Sequence, residues 1–152
     1  VGAGDGTDSA NRQITFFAEG GSKFTGKVEV NGTLRSTMWK VTQVFKQQPG
    51  PLPLSGTFSS GGGTLIMMVS GSARNSGAGR QMGMSIALDG SPVGFLTCGV
   101  TASDAHRTFI PDWLVLPGIA SGNHTIQLAS FGASVVTDGG DVYSVTVLEL
   151  PF

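Results

Sequence analysis

The residues best placed to bind a ligand flank one short apolar segment. His106 and Arg107 precede it, and Trp113 follows it. An aromatic ring can stack on the apolar face of a sugar while polar groups hold its hydroxyls, and this mixture is typical of glycan sites. Alternatively, Trp113 belongs to the hydrophobic core. We predict that these three residues form one part of a ligand-binding rim.

A second candidate rim lies in a loop rich in glycine and serine. Arg74, Asn75 and Arg80 are its polar members. They offer hydrogen-bond donors and positive charge, and they are predicted ligand-binding residues together with His106, Arg107 and Trp113. The ligand considered is a cell-surface glycan.

The acidic residues suggest two other kinds of site, a glycosidase site and a calcium site. Asp104 and Asp112 flank a predicted strand, and two carboxylates facing one cleft are what a glycosidase requires. Asp138-Gly-Gly-Asp141 reads first as a turn, because two glycines relieve the φ constraint, and second as a calcium site. No ligand spacing typical of a metal site is present, so the sequence predicts no metal and no cofactor.

Nucleophilic catalysis finds no support in the sequence. Cys98 is the only cysteine, which excludes an intrachain disulfide. It lies in a strand-like segment and is predicted to be a small buried side chain, since nothing in the spacing ties His106 or His124 to it. We predict that the chain is not an enzyme.

The composition predicts a β-protein with little charge. Charged residues make up 12% of the chain, against about 25% in ordinary domains, so part of the surface is neutral or covered by other subunits. The net charge of −1 gives no basic surface for nucleic acid. No apolar run approaches the roughly 20 residues of a membrane-spanning helix, so no membrane insertion is expected.

The elements that must position these residues are short strands. Met82, Met84, Ile86 and Leu88 alternate with small residues, and Asp89-Gly90 is a strong hairpin signal. Further strands are predicted at Leu65–Val69, Gln81–Leu88, Pro92–Val100, Arg107–Leu116, Asn123–Ala129 and Val142–Leu150. Regularly spaced strands with turn signals indicate an all-β antiparallel sandwich.

The predicted domain organisation has one sandwich with an N-terminal hairpin. Residues 1–12 are a flexible lead-in, and residues 13–46 form a strand and a hairpin that turns at Asn31-Gly32. Residues 47–54 are a proline-rich connector, and residues 55–152 form the sandwich core. Whether 13–46 is a separate subdomain stays open. The predicted buried set is Phe16, Trp39, Leu65, Met67, Met84, Ile86, Leu88, Phe95, Ile126, Leu128 and Val147.

Two strands are apolar on both of their faces. Leu65–Val69 contains no polar residue, and Val142–Leu150 has apolar residues on both phases. Because an antiparallel sandwich normally exposes one face of each sheet, a second buried surface is expected, either between subunits or under a long loop. The predicted interface residues are Ile66, Met68, Val142, Leu148 and Leu150.

The strand pattern of the last 90 or so residues also resembles a known family. The segments GGTLIMMVSGSA, GMSIALDGSPVG, SGNHTIQL and DVYSVTVLEL resemble the compact jelly-roll domains of the tumour-necrosis-factor-like kind. Such domains also occur at bacteriophage fibre tips and in other virion surface proteins. The resemblance implies a homotrimer with a C-terminal strand near the threefold axis, and it carries over no functional residues.

Two functions are therefore expected. The first is a non-catalytic virion or extracellular protein, of the fibre-tip or capsid-decoration type, that trimerises, contacts other virion proteins and can add the binding of a host receptor or glycan. The second is a secreted, monomeric carbohydrate-binding module.

Overall fold

A computed structural model describes residue 25 and residues 39–77, 80–132 and 134–150. Contacts divide the chain into Val1–Arg35 and Ser36–Phe152, and every strand described below belongs to the second unit. The predictions for Phe16, for the hairpin at Asn31-Gly32 and for residues 1–12 lie outside the described residues. Among the described residues, no helix is long and apolar enough to cross a membrane.

The described part of the chain contains ten strands in two antiparallel sheets, and this confirms the predicted all-β sandwich. They are β1 (Lys40–Pro49), β2 (Leu54–Ser60), β3 (Gly63–Asn75), β4 (Arg80–Leu88), β5 (Ser91–Val100), β6 (His106–Thr108), β7 (Asp112–Ile119), β8 (Gly122–Phe131), β9 (Val135–Val136) and β10 (Val142–Leu150).

The first sheet is built around β3. Its order is β1-β10-β3, and β6, β7 and β9 also pair with β3. The second sheet has the order β2-β8-β4-β5. Alternate residues of each strand point to the space between the sheets, where Leu65, Met84 and Val147 are fully or almost fully buried. Burial is also confirmed for Met67, Ile86, Leu88, Ile126 and Leu128.

Two predicted core residues are exposed. Trp39 keeps 66% of its surface exposed, because β1 carries a register shift between Gln43 and Phe45. The shift puts Phe45 towards the core and leaves the preceding odd-numbered positions on the outside. Phe95 is 62% exposed because it lies opposite Ser85, on the outer face of β4. There its ring stacks on Phe131, with ring centroids 5.6 Å apart.

The strand boundaries differ from the predictions at two places. β1 continues through the start of the proline-rich segment to Pro49, which an edge strand tolerates because the missing N–H faces away from the sheet. The predicted strand Arg107–Leu116 is interrupted between Thr108 and Asp112, so β6 and β7 are separate strands that pair with different parts of β3. The hairpin at Asp89-Gly90 is confirmed, with φ of 50° and 79°.

Candidate functional site

The candidate site lies where β3 changes its partners. As far as Val69, β3 pairs with β7, but from Ser72 to Arg74 it pairs with β6 instead. On its other side, Arg74 lies opposite Val136 of β9. Three segments distant in sequence therefore meet at the end of β3, and His106 is placed directly opposite Arg74.

The turn between β9 and β10 supplies two carboxylates to this place. The Asp141 N–H donates to the Asp138 carbonyl over 3.1 Å, and the Gly140 N–H donates to Asp138 Oδ1 over 2.8 Å. The Asp138 N–H in turn donates to Asp141 Oδ2 over 2.9 Å. The hydrogen bond from Gly140 is the main reason why the pKa of Asp138 is below its usual value, and the charges of His106 and Arg74 act in the same direction. The predicted turn at these residues is present.

Asp141 is the buried centre of the site. Its side chain has no exposed surface, and its Oδ1 accepts a hydrogen bond from the Ser72 hydroxyl over 2.9 Å. His106 Nδ1 lies 3.1 Å from the same oxygen. The Ser72 hydroxyl also accepts a hydrogen bond from the Val142 N–H, so this hydroxyl joins β3 both to Asp141 and to the start of β10.

Arg74 forms the positively charged side of the site. Its Nη1 lies 2.6 Å from Asp104 Oδ1, and its Nε lies 3.5 Å from Asp138 Oδ2. His106 Nε2 is 3.7 Å from that Asp138 oxygen. The five residues Arg74, Asp104, His106, Asp138 and Asp141 are called the loop cluster below.

Two buried polar groups lie beside the loop cluster without a hydrogen-bond partner: Asn75 Nδ2 and the Tyr143 hydroxyl. Asn75 is fully buried, and only its Oδ1 is satisfied, by the Gly77 N–H. The Tyr143 hydroxyl lies near the Thr137 hydroxyl but forms no hydrogen bond of good geometry with it. Burial and then the charge of Asp141 raise the pKa of Tyr143 well above its ordinary value.

The outer face of the first sheet carries a band of apolar residues. Val41 of β1 lies opposite Leu148 of β10, which lies opposite Ile66 of β3, which lies opposite Val115 of β7. Side chains directly opposite each other in a sheet share a face. Val41 is 67% exposed and Val115 is 61% exposed, while Leu148 and Ile66 are partly buried.

A second row on the same face runs beside the first. Met68 of β3 lies opposite Thr146 of β10 and opposite Trp113 of β7, which is 60% exposed. The six residues Val41, Ile66, Met68, Trp113, Val115 and Leu148 are called the apolar band below. Of the other predicted interface residues, Val142 is exposed and Leu150 is partly buried on the phase of Leu148.

Further along β3, the outer face becomes polar. Ser70, Ser72, Ser144 and Thr108 line a shallow cavity of about 460 Å³, together with Gln47, Gly71 and Val142. Ser72 is shared with the hydrogen bonds around Asp141. The cavity therefore joins the outer face to the loop cluster.

The structure brings together two of the six predicted ligand-binding residues, Arg74 and His106, which lie opposite each other at the end of β3. Asn75 follows Arg74, but it lies on the buried phase of the strand, so its side chain points to the other side. Arg107 lies one position further along β6, opposite Ala73, so alternation sends its side chain to the other side of the strand. Trp113 belongs to the apolar band. Arg80 begins β4, opposite Val100, in the second sheet.

The sequence did not link Asp104, Asp138 and Asp141 to His106. Asp141 and His106 are 35 residues apart, and their contact depends on β6 and the final turn meeting at β3. The Asp138-Gly-Gly-Asp141 segment is the only local signal of this site in the sequence. It predicts a turn or a calcium site, and it gives no indication that His106 lies nearby.

No protein-family model matches this sequence, and the search of curated proteins gave no match. Solved structures do share its fold. Latent PorU from Porphyromonas gingivalis aligns with a TM-score of 0.50 and 9% identity over 73% of this chain, which corresponds to 12% of the PorU chain.

Two further solved structures align with lower TM-scores. A CBM35 from Cellvibrio japonicus Abf62 aligns over 73% of this chain and 94% of its own, with 12% identity and a TM-score of 0.45. The infectious bursal disease virus VP2 subviral particle aligns over 74% of this chain and 30% of its own, with 13% identity and a TM-score of 0.42. At 9% identity the PorU alignment shows a shared fold and nothing about function. The tumour-necrosis-factor-like or fibre-tip kind of domain is not shown by these comparisons.

Proposed function

We propose that this chain is a non-catalytic module of a virion or of another extracellular surface, and that it assembles as a homotrimer through the outer face of its first sheet. The observation that carries the proposal is the apolar band. Val41, Trp113 and Val115 are each more than half exposed in the single chain. Monomeric soluble proteins rarely leave a contiguous apolar patch of this kind in water.

The band is long enough to support an interface. It crosses four neighbouring strands, β1, β10, β3 and β7, from Val41 to Val115. Burying apolar surface stabilises an assembly by roughly 25–30 cal/mol per Å². Strands that are apolar on both faces, as β3 and β10 are, normally have both faces covered.

A second copy of the chain is the partner that fits this face best. The positions that surround the band on β10, β3 and β1 are Thr146, Ser70 and Gln43, which are uncharged. Near the axis of a trimer, equivalent residues of the copies come close together, so charged residues there would repel one another while neutral ones do not. The low charge of the whole chain agrees with this arrangement.

The described histidines support a non-catalytic role. His124 Nδ1 lies 2.6 Å from Asp89 Oδ2, and its Nε2 lies 3.0 Å from the Ala120 carbonyl, so both ring nitrogens face acceptors. His106 faces the two carboxylates of the final turn. Cys98 Sγ contacts its neighbouring carbonyl, of Gly99, and pairs with neither histidine.

The assembly is tested by placing a carboxylate in the band. Val115→Asp changes a side chain that is already exposed in the single chain, so the fold of the monomer is expected to persist. We expect light scattering to give three times the chain mass for the parent protein and the chain mass for Val115→Asp. Ile66→Asp and Leu148→Asp are expected to give monomers or insoluble protein.

The matched control is Phe95→Asp, which makes the same change at an exposed apolar residue of the second sheet and is expected to stay trimeric. A parent protein at the mass of one chain would overturn the assembly. A trimer that Val115→Asp, Ile66→Asp and Leu148→Asp leave intact would overturn the assignment of the interface.

A second candidate function is carbohydrate binding on the polar part of the same face. It is favoured by the position of Trp113, whose partner Met68 lies two residues from Ser70 at the cavity with hydroxyl groups along its walls. An exposed indole can stack on a sugar ring while hydroxyls bind its polar groups. The ligand would then be a neutral glycan, bound by a monomer, because the proposed assembly would cover Trp113.

The glycan is sought on an array and its affinity measured by calorimetry. Trp113→Ala is expected to weaken binding at least tenfold, because stacking on an exposed ring supplies much of such an affinity. Phe131→Ala, at an exposed aromatic residue of the second sheet, is the control and is expected to bind normally. An array without any bound glycan would reject this candidate.

A further inference from the structure

We propose that His106, Asp138 and Asp141 bind one divalent transition-metal ion of the zinc class. Each residue offers one ligand atom, and these atoms all lie within 4.8 Å of one another. The proposal is independent of the assembly, because none of the three residues belongs to the apolar band. It contests the absence of a metal that the sequence predicted.

The separations between the three side chains suit a shared ion. Zinc binds imidazole nitrogen and carboxylate oxygen at about 2.0–2.2 Å, and tetrahedral ligands at that radius lie roughly 3.3–3.6 Å apart. His106 Nδ1 and Asp141 Oδ1 are 3.1 Å apart, and His106 Nε2 and Asp138 Oδ2 are 3.7 Å apart. These two distances involve different ring nitrogens, so the half-exposed imidazole must turn until a single nitrogen faces an ion held by both carboxylates.

The charges of the loop cluster call for a cation. Asp104, Asp138 and Asp141 supply three negative charges and Arg74 supplies one positive charge, which leaves a net charge of −2 when His106 is neutral. Arg74 is held closest to Asp104, at 2.6 Å. Asp141 is fully buried, and a buried carboxylate is costly without a positively charged partner. A divalent ion neutralises the cluster.

An independent observation is the unsatisfied hydroxyl of Tyr143. This side chain is 1% exposed, and its oxygen forms no hydrogen bond. The carboxylates of Asp141 and Asp138 both act on it electrostatically. A buried hydroxyl within the electrostatic reach of two carboxylates can bond to a metal-bound water, and outer groups of this kind hold ligands in position.

The ligand set favours zinc over calcium. Calcium takes six to eight oxygen ligands, whereas the cluster offers one imidazole and two carboxylates. Imidazole suits zinc, nickel and copper, and three protein ligands leave a fourth position for water. The bound ion would tie β6 to the turn that precedes β10.

The test is titration of the metal-free protein with ZnCl2 by calorimetry, with CoCl2 as a spectroscopic probe. Cys98→Ser is used as the background, because the free thiol could bind zinc elsewhere. We expect one ion per chain and a rise of the melting temperature by roughly 5–10 °C at saturating zinc. His106→Gln and Asp138→Asn are each expected to weaken binding at least tenfold.

The chain offers a matched control in its second histidine. His124 also contacts an aspartate, but no second carboxylate completes a cluster there among the described residues. His124→Gln is therefore expected to bind zinc like the parent. Asp141→Asn removes a buried group that shapes the turn, and this variant can fail to fold. In that case Asp138→Asn, at a half-exposed residue, tests the site. No binding at about 0.1 mM zinc, or binding that His106→Gln and Asp138→Asn leave unchanged, would overturn the proposal.

Discussion

Gly83 shows how closely the second sheet depends on one missing side chain. A Cβ at this position of β4 would lie 2.7 Å from the Leu96 carbonyl oxygen and 3.0 Å from Cδ1 of Phe131. The carbonyl belongs to the backbone of the paired strand β5, so it cannot move aside as a flexible side chain would. We expect Gly83→Ala to lower the free energy of unfolding by about 1–3 kcal/mol, as measured by urea denaturation.

Gly99→Ala is the control for this substitution. Gly99 lies in the paired strand β5, and a Cβ there would meet nothing within 4 Å. We expect its free energy of unfolding to stay within about 0.5 kcal/mol of the parent. If both variants lost the same free energy of unfolding, the loss would come from replacing glycine by alanine in a strand, and not from the close approach at Gly83.

At the scale of elements, the β4–β5 hairpin is fastened to β8 by a charged pair. Asp89 accepts the Thr125 N–H over 2.7 Å and contacts His124 over 2.6 Å. The hydrogen bond with Asp89 raises the pKa of His124 above 6.5, and the same bond, with that from Thr125, lowers the pKa of Asp89 below 3.8. Both residues therefore stabilise the folded state in their charged forms.

The pair predicts a window of maximal stability. The contribution of His124 to the free energy of unfolding is fully present below its ordinary pKa of 6.5. It is lost as the pH rises through the raised pKa of the folded state. That of Asp89 is present above 3.8 and is lost as the pH falls through the lowered value. Both are present between these two ordinary values. Because Asp89 is 48% exposed, we expect a loss of only about 1 kcal/mol on the alkaline side.

Melting temperatures measured from pH 3 to pH 9 for the parent and for His124→Gln check this prediction. The difference between the two profiles is expected to shrink as the pH rises above the window. A difference that stays constant across the whole range would show that the pair does not couple folding to protonation.

The elements differ in how far the sequence predicts them. The alternation of Met82 to Leu88 and the Asp89-Gly90 turn are local patterns, and both were predicted correctly. The register shift in β1 leaves no pattern in the sequence, so the predicted burial of Trp39 is wrong. The meeting of His106 and Asp141 is a tertiary fact, because it needs β6, β9 and β10 to converge on β3.

At the scale of the whole described unit, the residues of the proposed interface, the cavity and the loop cluster follow one another along β3 and β10. Ile66, Met68 and Leu148 belong to the apolar band. Further along, Ser70, Ser72 and Ser144 line the cavity, and the loop cluster follows at Arg74. Assembly through the apolar band would leave the cavity and the loop cluster open, but it would bury Trp113, so glycan binding on this ring and assembly exclude each other.

The central position of β10 also has a consequence for how the chain is made. β10 lies between β1 and β3, although about 90 residues separate its start from the end of β1. During synthesis from the N-terminus, β1 and β3 leave the ribosome with the strand that joins them still missing. Until it arrives, each presents a row of unpaired N–H and C=O groups, and these are templates for pairing with the wrong chain. We therefore expect the yield of folded protein to depend on how long these two strands wait for β10, and a chaperone that covers them over this interval would raise it.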